Sequence, residues 1–338
     1  MQVSSFALTT KRYNSIDFVK GFCIIFNIIA HCGWSESEKL QLLFPFWLDM
    51  AVPIFMIISG FVYSKSLIKH KNDTVGKAYS FNAISDKIIR FTVPFAIIFL
   101  VEQIIFLLHH HDLNILNLGW TFLSGGIGPG SYYTPIMMQF IFWFPVIFFI
   151  IRKYDYKGFA LCFIINFAYE VLQHAYHMNL DCYRLLIFRY TMLIAFGCYM
   201  AIGKKAINKW LSLIGMIVGI IYIIVFKYMG VTPLFTVYWT GTSFWAGLFI
   251  IPIAYLLIRS RIHFAPLELL GKASYNIFLV QMVYFVFLDT VSFIQVSNRV
   301  LQMIINIVIC CVIGVAFYYI ETPITKYVKK YFYRPASE

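Results

Sequence analysis

Apolar segments long enough to cross a bilayer recur along the whole of this 338-residue chain. Such a helix needs about 20 mostly apolar residues. Only 12% of the residues are charged and the mean hydropathy is +0.77, whereas soluble proteins carry about 25% charged residues. We predict an all-α, polytopic membrane helix bundle of about ten transmembrane helices, near residues 16–34, 44–63, 88–108, 133–151, 158–176, 184–202, 210–226, 238–258, 269–288 and 300–320.

The positions of the basic residues predict an orientation for this bundle. If the N-terminus is cytoplasmic, most of the 27 Lys and Arg residues fall in joins on the same side. That asymmetry is what the positive-inside rule demands, so both termini are expected in the cytoplasm. The net charge of +12 is then explained by basic loops beside anionic lipid rather than by nucleic-acid binding. No solenoid repeat or long polar segment interrupts the pattern, which indicates one membrane domain over residues 1–338.

The first apolar segment, "SIDFVKGFCIIFNIIAHCGW", contains a polar stripe. Lys20 and His31 are eleven residues apart, about three helical turns or 16 Å, and Asn27 lies between them on nearly the same line. Singly, Lys20 could be an anchor that reaches the membrane interface, and His31 a hydrogen-bonded packing residue. The alignment of the three favours a functional stripe that faces protein or a wet cavity rather than lipid.

Several segments together resemble the acyltransferase-3 family of integral membrane acyltransferases. The family's first helix has an Arg or Lys, ten residues and then a His, which Lys20 and His31 match. "MAVPIFMIISGFVYS" is similar to its second helix, and "KIIRFTVPF" fits its basic-x-x-Arg-then-Pro pattern, with Lys87 in place of an Arg. "LELLGKASYNIFLVQM" and "IETPITKYV" resemble its late helix and closing segment, so the resemblance runs from residue 12 to about 330.

Two departures limit what is carried over from the family. The late helix often ends in a His at the position of Gln281, so no catalytic role is assigned there. The chain also ends at Glu338 without the extracellular esterase-like domain that some relatives append. We therefore expect direct transfer to the acceptor, or the help of a separate partner, rather than a two-stage transfer within one chain.

The resemblance implies transfer of an acyl group, usually acetyl, from cytoplasmic acyl-CoA to a hydroxyl of an extracytoplasmic or lipid-linked glycan. CoA carries several phosphate charges, and basic side chains are predicted at the cytoplasmic end. Arg90 can grip a phosphate bidentately, and lysines act as point charges. The expected donor-binding residues are Lys20, Lys87, Arg90 and Lys272. Acetyl-CoA is the expected donor, with succinyl left open, and no metal is expected.

A sugar hydroxyl is a poor nucleophile until a base takes its proton, and His31 is the candidate base. Its reference pKa of ~6.5 suits proton transfer near neutrality. A covalent acyl-histidine is the second option. Asn27 could position the donor or donate to a developing oxyanion. Asp17 either orients Lys20 or only occupies a helix N-terminus.

The glycan acceptor is expected at the outer face. There "SGGIGPGSYYTP" is either a flexible connection or a glycan platform that uses Tyr132 and Tyr133, and Gln139 could add a polar contact. Arg184 is also a candidate for acceptor binding, and either it or Arg189 could pair with Glu102, an ionisable residue within an apolar run.

"YEVLQHAYH" places Glu170, His174 and His177 on one predicted helix face near the outer end of the fifth span. A zinc site is conceivable, but the HExxH arrangement and a further ligand are missing. A hydrogen-bonded acceptor site that includes Glu170 and His174, or a packing network, is favoured instead.

A transporter or flippase of a lipid-linked glycan is the rival function, since many spans with scattered polar groups would serve it too. No inverted repeat is evident, and the Lys20–His31 stripe has a specific use in acyl transfer. The expected home is the bacterial cytoplasmic membrane, and the expected acceptor is an exopolysaccharide, a capsule or another surface glycan.

Overall fold

Apolar helices make up most of the computed structural model, which describes residues 14–71, 74–110, 115–204, 207–231, 243–260, 262–290 and 296–332. The described residues contain no β-strand, so the predicted all-helical fold is confirmed. The helices are α1 (Asn14–Ala30), α2 (Glu36–Gln41), α3 (Phe44–Trp47), α4 (Ala51–Lys69), α5 (Val75–Ala78), α6 (Phe81–His110), α7 (Ile115–Leu123), α8 (Tyr133–Tyr154), α9 (Tyr156–Ala175), α10 (Leu180–Leu185), α11 (Thr191–Ile202), α12 (Lys209–Ile223), α13 (Phe244–Arg259), α14 (Ala265–Lys272), α15 (Ser274–Thr290) and α16 (Arg299–Phe332).

Six helices in the described residues are long and apolar enough to cross a membrane. They are Phe44–Lys69, Val75–Leu108, Tyr133–Tyr154, Tyr156–Ala175, Lys209–Tyr228 and Arg299–Phe332. The pair α14 and α15, bent by 71° at Ala273, would make a seventh, while Ile187–Ile202 and Phe244–Arg259 are apolar but shorter. The chain is therefore a multi-pass membrane protein. The count of about ten spans stays a prediction, and the start of the span predicted at 238–258 lies outside the described residues.

Ion pairs collect charged residues at the ends of the bundle. Around α2, Lys39 and Lys227 both reach Glu36, and Arg299 pairs with Glu38. The same Arg299 donates to the carbonyl oxygen of Gly33 at 2.6 Å. These contacts place Lys39, Lys227 and Arg299 together around α2. Which end faces the cytoplasm stays a prediction.

Two pairs of helices approach closely because each helix presents a glycine to the other. A Cβ atom at Gly271 of α14 would overlap the carbonyl oxygen of Asp17 in α1, and one at Gly21 of α1 would overlap that of Leu267. Gly60 of α4 and Gly197 of α11 are related in the same way. Small residues permit such close backbone approach in membrane bundles. Lys20 directly precedes Gly21 and Lys272 directly follows Gly271, so both cations lie beside the α1–α14 contact in the sequence.

Candidate functional site

A cavity of about 130 Å³ lies between α1, α4, α6, α8, α14 and α15. Its lining includes five of the predicted site residues, which come from the four helices α1, α6, α8 and α14: Lys20, Asn27, Arg90, Tyr133 and Lys272. The same cavity is lined by aromatic and aliphatic side chains from α4 and α15. The structure therefore brings Lys20 and Lys272, which are 252 positions apart in the sequence, to the same cavity.

Three cationic side chains give one part of this cavity a positive charge. Lys20 is half-buried, and its Nζ lies 3.5 Å from Oδ1 of the buried Asp17. Arg90 and Lys272 are exposed and line the same cavity. Asp17 thus contacts Lys20 directly, as the interpretation that Asp17 orients this lysine requires.

Lys87 contributes to the wall of the cavity rather than to its lining. Its Nζ lies 5.5 Å from the centroid of the Tyr63 ring, and Tyr63 is the residue that lines the cavity. A cation over an aromatic face is a favourable contact. Lys87 therefore differs from the other predicted donor-binding residues, which line the cavity directly.

Asn27 lies two turns beyond Lys20 on α1 and is 7% exposed. Its Nδ2 is buried and has no hydrogen-bond partner in the described part of the chain. A buried donor without a partner is unfavourable by about 1–3 kcal/mol. An acceptor group in the cavity would satisfy this donor.

His31 follows the last residue of α1, and its N–H donates to the carbonyl oxygen of Ile28 at 3.1 Å. The helix thus ends at Ala30, before residue 34, which is the predicted end of the first span. The hydrogen-bonded turn after the helix still places His31 beyond Asn27. His31 is half-buried and does not line the cavity itself. Its ring centroid lies 6.1 Å from that of Phe285, and its Nε2 would lie 3.9 Å from a Cβ atom on Gly130.

The Gly-rich loop of residues 124–131 packs against α15 beside His31. A Cβ atom at Gly128 would lie 2.5 Å from the carbonyl oxygen of Met282, and one at Gly130 would lie 3.0 Å from the Phe278 ring. Glu102, which is 1% exposed, accepts hydrogen bonds from the N–H groups of Ile127 and Gly128. The suggested pairing of Glu102 with Arg184 or Arg189 is therefore wrong, because backbone donors satisfy this carboxylate.

The two tyrosines after this loop have different surroundings. Tyr133 lines the cavity and its ring lies 4.9 Å from that of Phe278. Tyr132 lies with its ring centroid 5.1 Å from the guanidinium of Arg189. Arg184 donates from Nη2 to Oγ of Ser131 at 3.3 Å, so it contacts the loop itself.

Gln139 holds the backbone that follows α10. Its Nε2 donates to the carbonyl oxygen of Leu185 at 2.5 Å, and its Oε1 accepts from the N–H of Ile187 at 3.2 Å. These contacts leave its amide committed to the backbone. The predicted polar contact with an acceptor is not what the geometry favours.

We expect Gln139→Ala to lower stability without altering substrate affinity. The variant leaves the partly buried carbonyl of Leu185 and N–H of Ile187 without these partners, and the loss is unfavourable by up to about 1–3 kcal/mol. The thermal midpoint in detergent should fall by several degrees, while acyl-CoA affinity stays within about twofold. An unchanged midpoint would contradict the structural role.

Of the three residues predicted to share a helix face, Glu170 and His174 lie one turn apart on α9, whereas His177 lies outside this helix. Glu170 is fully buried and accepts from the Tyr183 hydroxyl at 3.1 Å, whereas His174 is exposed and His177 lies beyond α9 with φ +47°. Metal-binding groups of three or more His, Cys, Asp or Glu are absent from the described residues. The sequence analysis did not connect Glu170 with Arg189, which follows α10. The guanidinium of Arg189 lies 5.3 Å from the centroid of the Tyr183 ring.

Gln281 is a second residue that sequence reasoning left without a role. It is fully buried in α15, and neither amide atom has a hydrogen-bond partner within the described ranges. Its position in the late helix, between Phe278 and Phe285, was visible in the sequence. The lack of hydrogen-bond partners for its amide was not, because that depends on the packing of several helices.

The family model described as "Acyltransferase domain" matches residues 13–320, which is most of the chain. No curated protein and no solved structure matches it significantly. The family match agrees with the multi-pass helical fold and with the residues that first suggested it. The chain belongs to the acyltransferase-3 family and is a membrane acyltransferase.

Proposed function

We propose that this protein transfers an acyl group, acetyl in the first instance, from cytoplasmic acyl-CoA to a hydroxyl of an extracytoplasmic or lipid-linked glycan. The observation that carries the proposal is the cavity whose lining joins three cations to Asn27, with His31 one turn further along the same stripe. Family membership supports the reaction class. The donor, the acceptor and the residue roles are inferred from chemistry.

The cationic part of the cavity suits the phosphates of CoA. Arg90 offers a planar fork for bidentate contact with a phosphate, and Lys20 and Lys272 add point charges. Asp17 holds Lys20 through an ion pair on the same helix. The basic joins that favour a cytoplasmic location lie on this side of the predicted topology.

The part of the cavity beyond the cations suits a small neutral acyl group. Here the lining includes Ile24, Phe55 and Phe278, together with the neutral amide of Asn27. A succinyl group carries a carboxylate that would lack a cationic partner among these residues. Because burial of an unpaired charge is strongly unfavourable, acetyl is preferred to succinyl.

His31 is proposed as the general base. Its imidazole takes the proton of the acceptor hydroxyl while that oxygen attacks the thioester carbonyl of the donor. Asn27 donates to the carbonyl oxygen, on which negative charge develops. The C–S bond then breaks, and the CoA thiolate leaves and takes up the proton that His31 returns. The products are the O-acyl glycan and CoA.

The acceptor is proposed to approach on the side of the Gly-rich loop. Tyr133 presents an aromatic ring to the cavity, and Tyr132, Arg184 and Ser131 lie around the loop. Aromatic faces and polar groups of this kind suit a sugar. A surface glycan in a bacterial cytoplasmic membrane is the proposed setting.

We expect Lys20→Ala to weaken acetyl-CoA binding about tenfold to a hundredfold. Loss of one hydrogen bond to a charged group corresponds to about 1.5–3 kcal/mol. Binding is measured by isothermal titration on the purified protein in lipid nanodiscs. The control is Lys209→Ala, which removes an exposed lysine at the start of α12.

The salt dependence gives a second readout of the same claim. Wild-type affinity should fall as salt rises, and the fall should be shallower in Lys20→Ala because one charge contact is missing. Equal affinity of Lys20→Ala and wild type at low salt would remove the donor-binding role of this lysine.

A further inference from the structure

The Gly-rich loop beside His31 has a backbone conformation that its glycines make possible. Gly125, Gly126 and Gly130 have φ values of +94°, +103° and +87°, a region that side-chain-bearing residues rarely adopt. The Ile127 side chain is 45% exposed, while Gly126 and Gly128 on either side of it are buried. The loop is therefore a thin wall, exposed on one side and packed on α15 on the other.

Glu102 holds this wall from α6. Its Oε1 accepts from the N–H of Ile127 at 2.9 Å and from the N–H of Gly128 at 2.8 Å. A Cβ atom on Gly126 would lie 2.7 Å from Oε2 of the same carboxylate, so the loop backbone lies directly against it. Burial of a carboxyl group is unfavourable unless hydrogen bonds compensate for it, and two backbone donors do so here.

The wall continues to His31. Two residues after Gly128, the backbone of Gly130 lies against Phe278 and faces Nε2 of His31, at 3.9 Å from the position of a Cβ atom. Enzymes that handle reactive acyl donors exclude water so that the donor is not hydrolysed. A wall next to the base is placed to do this.

We propose that Glu102 is a positioning residue that holds the Gly-rich loop as a water seal over His31. The inference rests on the proposed function of His31 as the base. When the seal opens, water replaces the sugar hydroxyl as the nucleophile. Its oxygen attacks the thioester carbonyl while His31 takes one of its protons. His31 passes this proton to the CoA thiolate as the C–S bond breaks, which releases CoA, acetate and a proton.

The test uses acetyl-CoA and water alone, so no glycan is needed. Release of the CoA thiol is followed with a thiol reagent on protein in nanodiscs, and acetyl-CoA affinity is measured on the same samples. In Glu102→Leu, which has no acceptor for the loop, we expect hydrolysis to rise about tenfold while affinity stays within twofold. If Glu102 had only a structural role, its replacement would unfold the protein and lower its activity. A gain of hydrolysis therefore cannot come from unfolding.

Two further variants separate the acceptor oxygen from the charge. Glu102→Gln keeps an oxygen for both N–H groups and should hydrolyse within twofold of wild type. Glu102→Asp draws the carboxylate back by one methylene and should raise the rate of hydrolysis less than Glu102→Leu does. If Glu102→Leu does not fold, the rate of Glu102→Asp tests the proposal instead. The control Ile104→Ala removes a side chain that is 56% exposed on α6 and should match wild type.

The outcomes distinguish this inference from the proposed function. Wild type that binds acetyl-CoA, beside folded Leu or Asp variants that hydrolyse it no faster, would overturn the seal and leave the acyltransferase intact. If Glu102→Gln and Glu102→Leu rise equally, the acceptor oxygen is not what holds the loop, and the proposal is also overturned. A wild type that binds no acetyl-CoA would instead remove the proposed function.

Discussion

His31→Ala is expected to lower acetyl transfer about 10²- to 10⁴-fold, the range that general-base catalysis contributes. The variant removes the imidazole that lies beyond Asn27 on the stripe, between Phe285 and the Gly-rich loop. The cations of the cavity are untouched, so acetyl-CoA affinity should stay within about twofold. The measurement is transfer of radiolabelled acetyl from acetyl-CoA into glycan in membranes that contain the variant, with binding titrated on purified protein.

The matched control for this experiment is His70→Ala, which removes an exposed histidine at the end of α4. It should transfer acetyl at the wild-type rate. Retention of more than a tenth of wild-type transfer in His31→Ala, with the control unchanged, would assign the base to another group. Loss of acetyl-CoA binding together with transfer would show that His31 acts on the donor rather than on the acceptor proton.

Gly271→Ala is expected to destabilise the protein and to weaken acetyl-CoA binding together. The added methyl group would overlap the carbonyl oxygen of Asp17, so α1 and α14 must move apart. Overpacking of this kind destabilises typically by about 1–3 kcal/mol. The same shift separates Lys272 from Lys20, because these cations lie next to this contact on α14 and α1.

The thermal midpoint in detergent and the acetyl-CoA affinity of Gly271→Ala should therefore both fall. Gly119→Ala is the control, since a Cβ atom at Gly119 in α7 has nothing within 4 Å. Its midpoint should match or exceed that of wild type, because alanine favours a helix more than glycine does. If Gly271→Ala melts with wild type, the close contact between α1 and α14 is not what the structure describes.

The helices and the polar stripe could be predicted because both depend on local periodicity. A stretch of about 20 apolar residues has few alternatives to a helix in a membrane, and the positions of Lys20 and Asn27 on one face follow from helical geometry. The structure adds that both residues line one cavity. It also adds that His31 lies beyond the end of the helix.

The surroundings of the outer residues could not be predicted because they depend on how distant helices pack. Glu102 accepts from a loop 25 and 26 residues further along the chain, which no spacing rule indicates. Glu170 and His174 are one turn apart on α9, yet one is buried and the other exposed, because a burial boundary passes between them. Gln139 donates a hydrogen bond to backbone 46 residues away, so its polar side chain has a structural role rather than a role in binding.

The most direct test of the proposed function is acetyl-CoA binding and turnover by purified wild type in lipid, beside Lys20→Ala and His31→Ala. We expect wild type to bind acetyl-CoA and to pass its acetyl group to glycan, Lys20→Ala to bind more weakly, and His31→Ala to bind without turnover. A wild type that neither binds nor consumes acetyl-CoA, while it moves a lipid-linked glycan across the bilayer, would contradict the enzyme and establish the transporter.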